Sequence, residues 1–138
     1  MKYQSRQFGE LEVDERQRLF FPEGMIGFEQ CRNYTLAYQE DAEPFRWLIS
    51  LDDSDLCFPL LDPRLLEPSY GSRLPVDSAE VLYVVATLHT EIDKSTVNLR
   101  SPVVINPTTQ TGRQIILEDE SLPFQYPLFA RERSSVGG

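Results

Sequence analysis

Apolar residues recur along this chain in short bursts with a period of two, and no stretch sustains a helical period beyond two turns. In Phe45-Arg-Trp-Leu-Ile-Ser-Leu51 the large groups Phe45, Trp47, Ile49 and Leu51 fall at every second position, so they share one face of a strand. Val81 to Leu88 is almost continuously apolar and β-rich, which predicts a strand covered on both faces at the centre of a sheet. Similar patterns predict strands at Gly9–Val13, Arg18–Phe21, Tyr34–Tyr38, Phe58–Leu61, Thr96–Leu99, Pro102–Asn106 and Gln114–Leu117. Ten prolines and seven glycines punctuate these segments. The weakest helical suggestion, Asp77–Glu80, is too short to stand alone and reads as a turn. Many short strands without alternating helices predict an all-β fold. We expect a small antiparallel β-barrel-like single domain over residues 1–138, closed enough to hide its edges, with a frayed tail at Arg131–Gly138.

Composition narrows the function. A chain of 138 residues with 41% hydrophobic content can bury one core. Thirteen basic against 22 acidic side chains leave a net charge of -9, the wrong sign for gripping phosphate backbones, so direct nucleic-acid binding is disfavoured. The acidity leans to the first half, where residues 1–70 hold 14 acidic and 7 basic side chains. That field suits a basic protein partner, although it also serves simple solubility. No secretory leader opens Met1–Glu10, and no apolar run approaches a membrane span, so a cytoplasmic protein is expected. Cys31 and Cys57 lack any paired spacing and read as two buried reduced thiols.

Catalytic groups are scarce. His89 is the only histidine, so a histidine relay or a multi-histidine metal site would rest on it alone; it reads as a strand-end surface residue. Glu23-Gly-Met-Ile-Gly-Phe28 is not followed by G-K-[ST], and its glycines read as turn makers. The acidic runs Asp52-Asp53 with Asp55, and Glu118-Asp119-Glu120, could bind a cation or act as carboxylate catalysts, but each follows a predicted strand, where charged loop residues are ordinary. No catalytic, metal or cofactor site is assigned. A surface for partners remains.

Several motifs read in order carry a resemblance. Phe20-Phe-Pro-Glu-Gly-Met-Ile-Gly-Phe28 with Tyr34, then Phe45-x-Trp47-Leu-x-Ser-Leu51, Phe58 and Asp62-Pro63 are followed by Thr96-Val-Asn-Leu-Arg-Ser-Pro-Val-Val-Ile-Asn106 and Gly112-Arg-Gln-Ile-Ile-Leu117. Together these blocks resemble the flagellar assembly factor FliW family over about Phe8 to Leu117. Ser101 stands where that family usually has alanine, Gln110 where a basic residue is common, and Tyr70–Val81 is shorter than in many members. The resemblance implies a non-catalytic partner switch. Such proteins bind newly made flagellin; once flagellin is exported they bind CsrA, the RNA-binding translational repressor of the flagellin message, and lift repression.

Candidate partner-contact residues follow. Phe45 and Trp47 are aromatic anchors, weighed against a core role. Asp52, Asp53 and Asp55 would supply a negative field opposing RNA. Asn98 and Asn106, bracketing a strand pair joined through Pro102, would fix turns or meet a partner. A monomer is expected when free. Two rival readings are a small β-barrel hydrolase using a carboxylate or metal site at Asp52, Asp53, Asp55 and His89, and a structural oligomer subunit joined through Val81–Leu88.

Overall fold

A computed structural model describes residues 1–70 and 76–129. Among the described residues there are ten strands: β1 (Lys2–Ser5), β2 (Gly9–Glu12), β3 (Arg18–Phe20), β4 (Asn33–Tyr38), β5 (Arg46–Ser50), β6 (Cys57–Leu61), β7 (Val81–Thr87), β8 (Thr96–Asn106), β9 (Thr111–Gln114) and β10 (Tyr126–Pro127). The first two make a separate hairpin. Strands β3 to β8 pair with their sequence neighbours, all antiparallel, and β9 pairs with β8 on one side and β3 on the other, which closes the sheet into an all-β barrel. Closure gives each of these strands a neighbour on both sides, although β6 and β7 pair only at Leu60↔Val85 and Leu61↔Val84. Asp77–Glu80 is a turn, as expected, with the Glu80 N–H donating to the Asp77 carbonyl at 3.0 Å. Gly71–Pro75, in the segment judged short, and the tail Arg131–Gly138 lie outside the described residues.

The wall is apolar on both sides. Inside the barrel, Leu19, Phe21, Met25, Tyr34, Leu48, Leu60, Val103 and Ile105 form one cluster, with Phe21 and Tyr34 packed edge to face at 5.0 Å. Outside, Leu61, Val84, Ala86, Val97, Leu99 and Leu128 form a second cluster under Tyr70, Leu117, Leu122 and Tyr126. Strand β7 serves both, because Tyr83 and Val85 pack inward while Leu82, Val84 and Ala86 pack outward. The continuous apolar run of Val81–Leu88 has this cause. In β5 the inner cluster takes Leu48, and Trp47 on the opposite face meets Phe8 of the hairpin turn at 5.5 Å. The hairpin is also tied by Arg6 N–H to the Ser54 carbonyl at 2.9 Å.

Two segments depart from the sequence reading. The strands expected at Thr96–Leu99 and Pro102–Asn106 are one strand, β8, with a sharp bend. Val84 alone on β7 stands opposite Leu99–Pro102, between the pairs Tyr83↔Val103 and Val85↔Asn98. Extra residues on one strand make it bend, and the Asn98 carboxamide oxygen fixes the bend by accepting from Arg100 and Ser101 N–H, both at 3.0 Å. The last barrel strand is Thr111–Gln114 rather than Gln114–Leu117. Ile115 and Leu117 instead donate to Pro102 and Arg100 carbonyls along the bend, at 3.0 and 2.8 Å. Strands β1 and β10 were not anticipated.

The contact between β3 and β9 is short and parallel, with Phe20↔Thr111 as its one register pair. Gln110, in the left-handed region at φ 58°, reinforces it. Its carbonyl accepts from Phe20 N–H at 2.9 Å, and its side-chain N–H donates to the carbonyls of Glu15 (2.7 Å) and Arg18 (2.8 Å).

Candidate functional site

Alternation of strand direction brings the β3–β4, β5–β6 and β7–β8 loops to one end of the barrel, and the β4–β5, β6–β7 and β8–β9 loops to the other. The sequence-derived candidates divide between them. Asp52, Asp53 and Asp55 lie in the β5–β6 loop at the first end, where Asn98 and the β8 bend also fall. Phe45 and Asn106 belong to the second end, and Trp47 sits on the outer wall under Phe8.

Most of these side chains are already engaged. Asp52 accepts from the backbone N–H of Arg32 (2.8 Å) and Asn33 (2.9 Å) and from the Asn33 amide at 3.2 Å, which joins the start of β4 to the end of β5. Burial alone would push its carboxyl up, but the Asn33 and Arg32 N–H groups, the Asn33 side chain and the Arg18 charge outweigh it and hold the carboxyl below its ordinary value. Asp53 accepts from Asp55 N–H at 2.9 Å, and Asp55 meets Arg6 at 3.4 Å with both side chains largely in water. Exposed pairs of that kind contribute little stability. Trp47 is 8% exposed, Phe45 is half-buried against the outer cluster, and Pro102 is buried. Asn106 accepts from Thr108 and Thr109 N–H at 3.0 and 3.2 Å, so it builds the β8–β9 turn. His89 Nδ1 accepts from Glu91 N–H at 2.9 Å. Among the described residues, no three His, Cys, Asp or Glu side chains converge as a metal site.

A different set of residues stands open at the first end. A groove of about 430 Å³ is lined by Ile26, Phe58, Val85, Gln114, Ile116 and Phe124, with Met25, Thr87, Thr96, Asn98, Ser101 and Gln125 completing it; none of the twelve carries a charge. Ile26, Ile116 and Phe124 are 47%, 63% and 51% exposed, large values for residues of this kind. The floor is rigidly built. The Gln114 carboxamide accepts from Ile26 N–H at 2.9 Å and donates to the Ser101 carbonyl at 3.0 Å, which pins the Met25–Phe28 loop to the β8 bend. That loop turns at Gly24, where φ is +67° and a Cβ would press on the backbone of Phe28 and Glu29. Phe124 is held by Arg100, whose guanidinium lies 4.6 Å from the ring centre and donates to the Leu122 and Glu120 carbonyls at 2.8 and 2.9 Å. Sequence reading took Gly24 and Gly27 as turn makers but missed the groove. Its apolar residues, Met25 and Ile26, Phe58, Val85, Ile116 and Phe124, come from five separate segments with no shared period.

The whole described chain, not only its central blocks, finds counterparts among known proteins: a family model described as FliW protein matches residues 2–128. The chain belongs to the FliW family. That match takes in β1 and β10, beyond the span of Phe8 to Leu117 over which the motifs were recognised. The flagellar assembly factor FliW of Caldicellulosiruptor saccharolyticus is 36% identical over 142 residues, covering 96% of this chain and 93% of that protein. The flagellar assembly factor FliW of Natranaerobius thermophilus is also 36% identical, over 149 residues and 99% of its length. A crystal structure of the flagellar assembly factor FliW superposes with a TM-score of 0.82 at 28% identity, covering 94% of this chain and 97% of that one. The closed barrel is thus the FliW fold. Among the described residues, no helix is long and apolar enough to cross a membrane.

Proposed function

We propose that this FliW-family chain is a cytoplasmic flagellar assembly factor that works by holding proteins. It binds flagellin, and when flagellin is exported it binds CsrA and antagonises it, so that synthesis of flagellin resumes. No bond is made or broken; the outcome depends on concentrations and on the relative affinities of two complexes. Family membership supports the reading, and the observation that carries it is the uncharged, open apolar groove on a chain with net charge -9. Open apolar surface of this sort marks interaction sites, and the surrounding acidity suits a basic partner. Acidic side chains brought within a Debye length, roughly 8 Å at physiological salt, repel RNA phosphates and partly neutralise a basic repressor. Asp53 and Asp55 fit that role better than Asp52, whose carboxylate holds the backbone.

Purified protein mixed with flagellin, and separately with CsrA, should comigrate on a sizing column at micromolar concentration. Failure to comigrate with either would remove this function. Asp53→Lys together with Asp55→Lys should weaken relief of repression in an RNA shift assay; an unchanged shift would take these two aspartates out of the mechanism.

A further inference from the structure

Pairing is uneven round the barrel. From β3 to β6 neighbouring strands share three, five and four register pairs, and from β7 to β9 they share six and four. The two remaining junctions are thin: β6 and β7 share two pairs, Leu60↔Val85 and Leu61↔Val84, and β3 and β9 share one. The wall is therefore two well-paired halves, β3 to β6 and β7 to β9, joined along two short seams. Proline limits the first seam. Ser50 N–H donates to the Leu56 carbonyl at 3.0 Å, so alternation along β6 turns the backbone of Phe58 and Leu60 toward β5 and that of Pro59 and Leu61 toward β7. Carried on, the register would set Pro59 against Ala86 and Phe58 against Thr87. Both pairings would draw on a Pro59 N–H that does not exist, and neither forms. On the other side Pro63 opens a 3-10 turn, Pro63–Leu65, that takes the chain out of the strand.

Strands β6 and β7 thus meet at their centre and part toward both ends. At the first end the gap belongs to the groove, which takes Met25, Ile26 and Phe58 from one half and Val85, Thr87 and Ile116 from the other. At the second end a cleft of about 290 Å³ opens between Arg46, Asp62 and Leu65 on one side and Val81, Leu82 and Tyr83 on the other. Side chains carry the rest of the junction. The inner cluster is shared, with Phe21, Tyr34 and Leu60 of the first half packed among Val103 and Ile105 of the second, so the halves can slide against each other but not separate. Gln110 ties the β3–β9 seam, and Gln114 ties the groove by accepting from Ile26 N–H at 2.9 Å. We propose that the two halves pivot about Leu60–Leu61 and Val84–Val85, a motion that sets the width of the groove and links it to the second-end cleft, one widening as the other narrows. A partner seated in the groove then selects one setting of the pivot. That consequence rests on the protein-holding function proposed above; the pivot itself does not.

Relaxation-dispersion NMR of the full chain, which reads microsecond-to-millisecond exchange, is the test. Amides at the two seams, Phe20 and Thr111 on one and Leu61 and Val84 on the other, should exchange at one common rate, while Leu36 and Leu48 inside the first half stay quiet. Pro59→Val restores the missing N–H and lengthens the β6–β7 ladder, so it should quench exchange at both seams. Gln110→Ala loosens the β3–β9 seam and should raise exchange at both. A merely local effect of either substitution would move its own seam alone. Seams as quiet as Leu36, or a Pro59→Val protein whose β3–β9 seam exchanges as in the parent, would overturn the pivot. In titration calorimetry with flagellin and with CsrA, Pro59→Val and Gln110→Ala should each shift the affinity of at least one partner about threefold or more, although Gln110 stands at the end of the barrel away from the groove. Unchanged affinities for both partners would overturn the link between pivot and groove. A parent that binds neither protein removes the function proposed above, and the dispersion experiment still decides the pivot.

Discussion

The β7–β8 side of the barrel and the β3–β9 side close the same cylinder by different means. On the first, six residue pairs run along both halves of β8, with apolar packing inside and outside. On the second, one parallel pair is supplemented by the backbone and side chain of Gln110, and by Phe21 lying against the glycine of β9. Where backbone pairing is long, side chains need only pack. Where it is short, individual side chains must take over the hydrogen bonds, and single substitutions should be felt most there.

The strongest way to break this contrast is Gly112→Ala. A methyl group at that position would collide with the ring of Phe21, which is completely buried and has nowhere to go. A loss of about 3 kcal/mol is expected from such overpacking, read as a lower urea midpoint. A change below about 0.5 kcal/mol would mean that the seam is looser than its contacts imply. Next comes Gln110→Ala, which deletes two side-chain hydrogen bonds and places a Cβ residue without compensation at φ 58°. About 2 kcal/mol should be lost. Gln110→Gly separates the two causes, since it relieves the backbone but not the missing bonds.

A smaller effect, away from the seam, sharpens the comparison. Asp52→Asn weakens the tie between β4 and β5 and should cost about 1 kcal/mol at neutral pH, because water screens much of the interaction. The carboxyl of Asp52 lies lower in the folded chain than its ordinary value of 3.8. Its stabilisation is therefore present above that value and is lost as pH falls through the lower folded value. The parent should lose stability below about pH 4 more steeply than Asp52→Asn. Parallel acid titrations of the two proteins would remove Asp52 from this account.

Strands that bury apolar side chains, read as two-faced in Val81–Leu88 and as one face at every second position in Phe45–Leu51, were legible in the sequence, because burial leaves a pattern. Val81–Leu88 and Phe45–Leu51 became β7 and β5 on that basis. The assignment faltered where backbone geometry decided. Thr111–Gln114 is polar and became a strand because β8 and β3 flank it, whereas the apolar Ile115–Leu117 follows the bend. Pro102 read as a break between strands, yet it sits inside β8, where the bulge leaves Leu99–Pro102 without partners on β7. Lys2–Ser5 is too polar, and Tyr126–Pro127 too short, to announce themselves.

The candidate site was legible only in its acidic part. The acidic residues of the β5–β6 loop were visible as charges, but not the fact that Asp52 is committed to Arg32 and Asn33. Ile26, Ile116 and Phe124 resemble core residues on paper. Only the bend of β8 and the Gln114 carboxamide bring them to one opening.

The parallel pair at the seam follows from parity. Each sequential neighbour from β3 to β9 reverses direction, and seven is odd, so the last strand must run the same way as the first. A ring of odd number cannot alternate throughout, and one mismatched neighbour is compulsory whatever residues occupy it. Evolution could choose only how to dress the mismatch. In this chain it falls on β9, the strand whose far end carries Gln114. One short strand thus borders both the compulsory mismatch and the floor of the groove, so a displacement at the first is a displacement at the second.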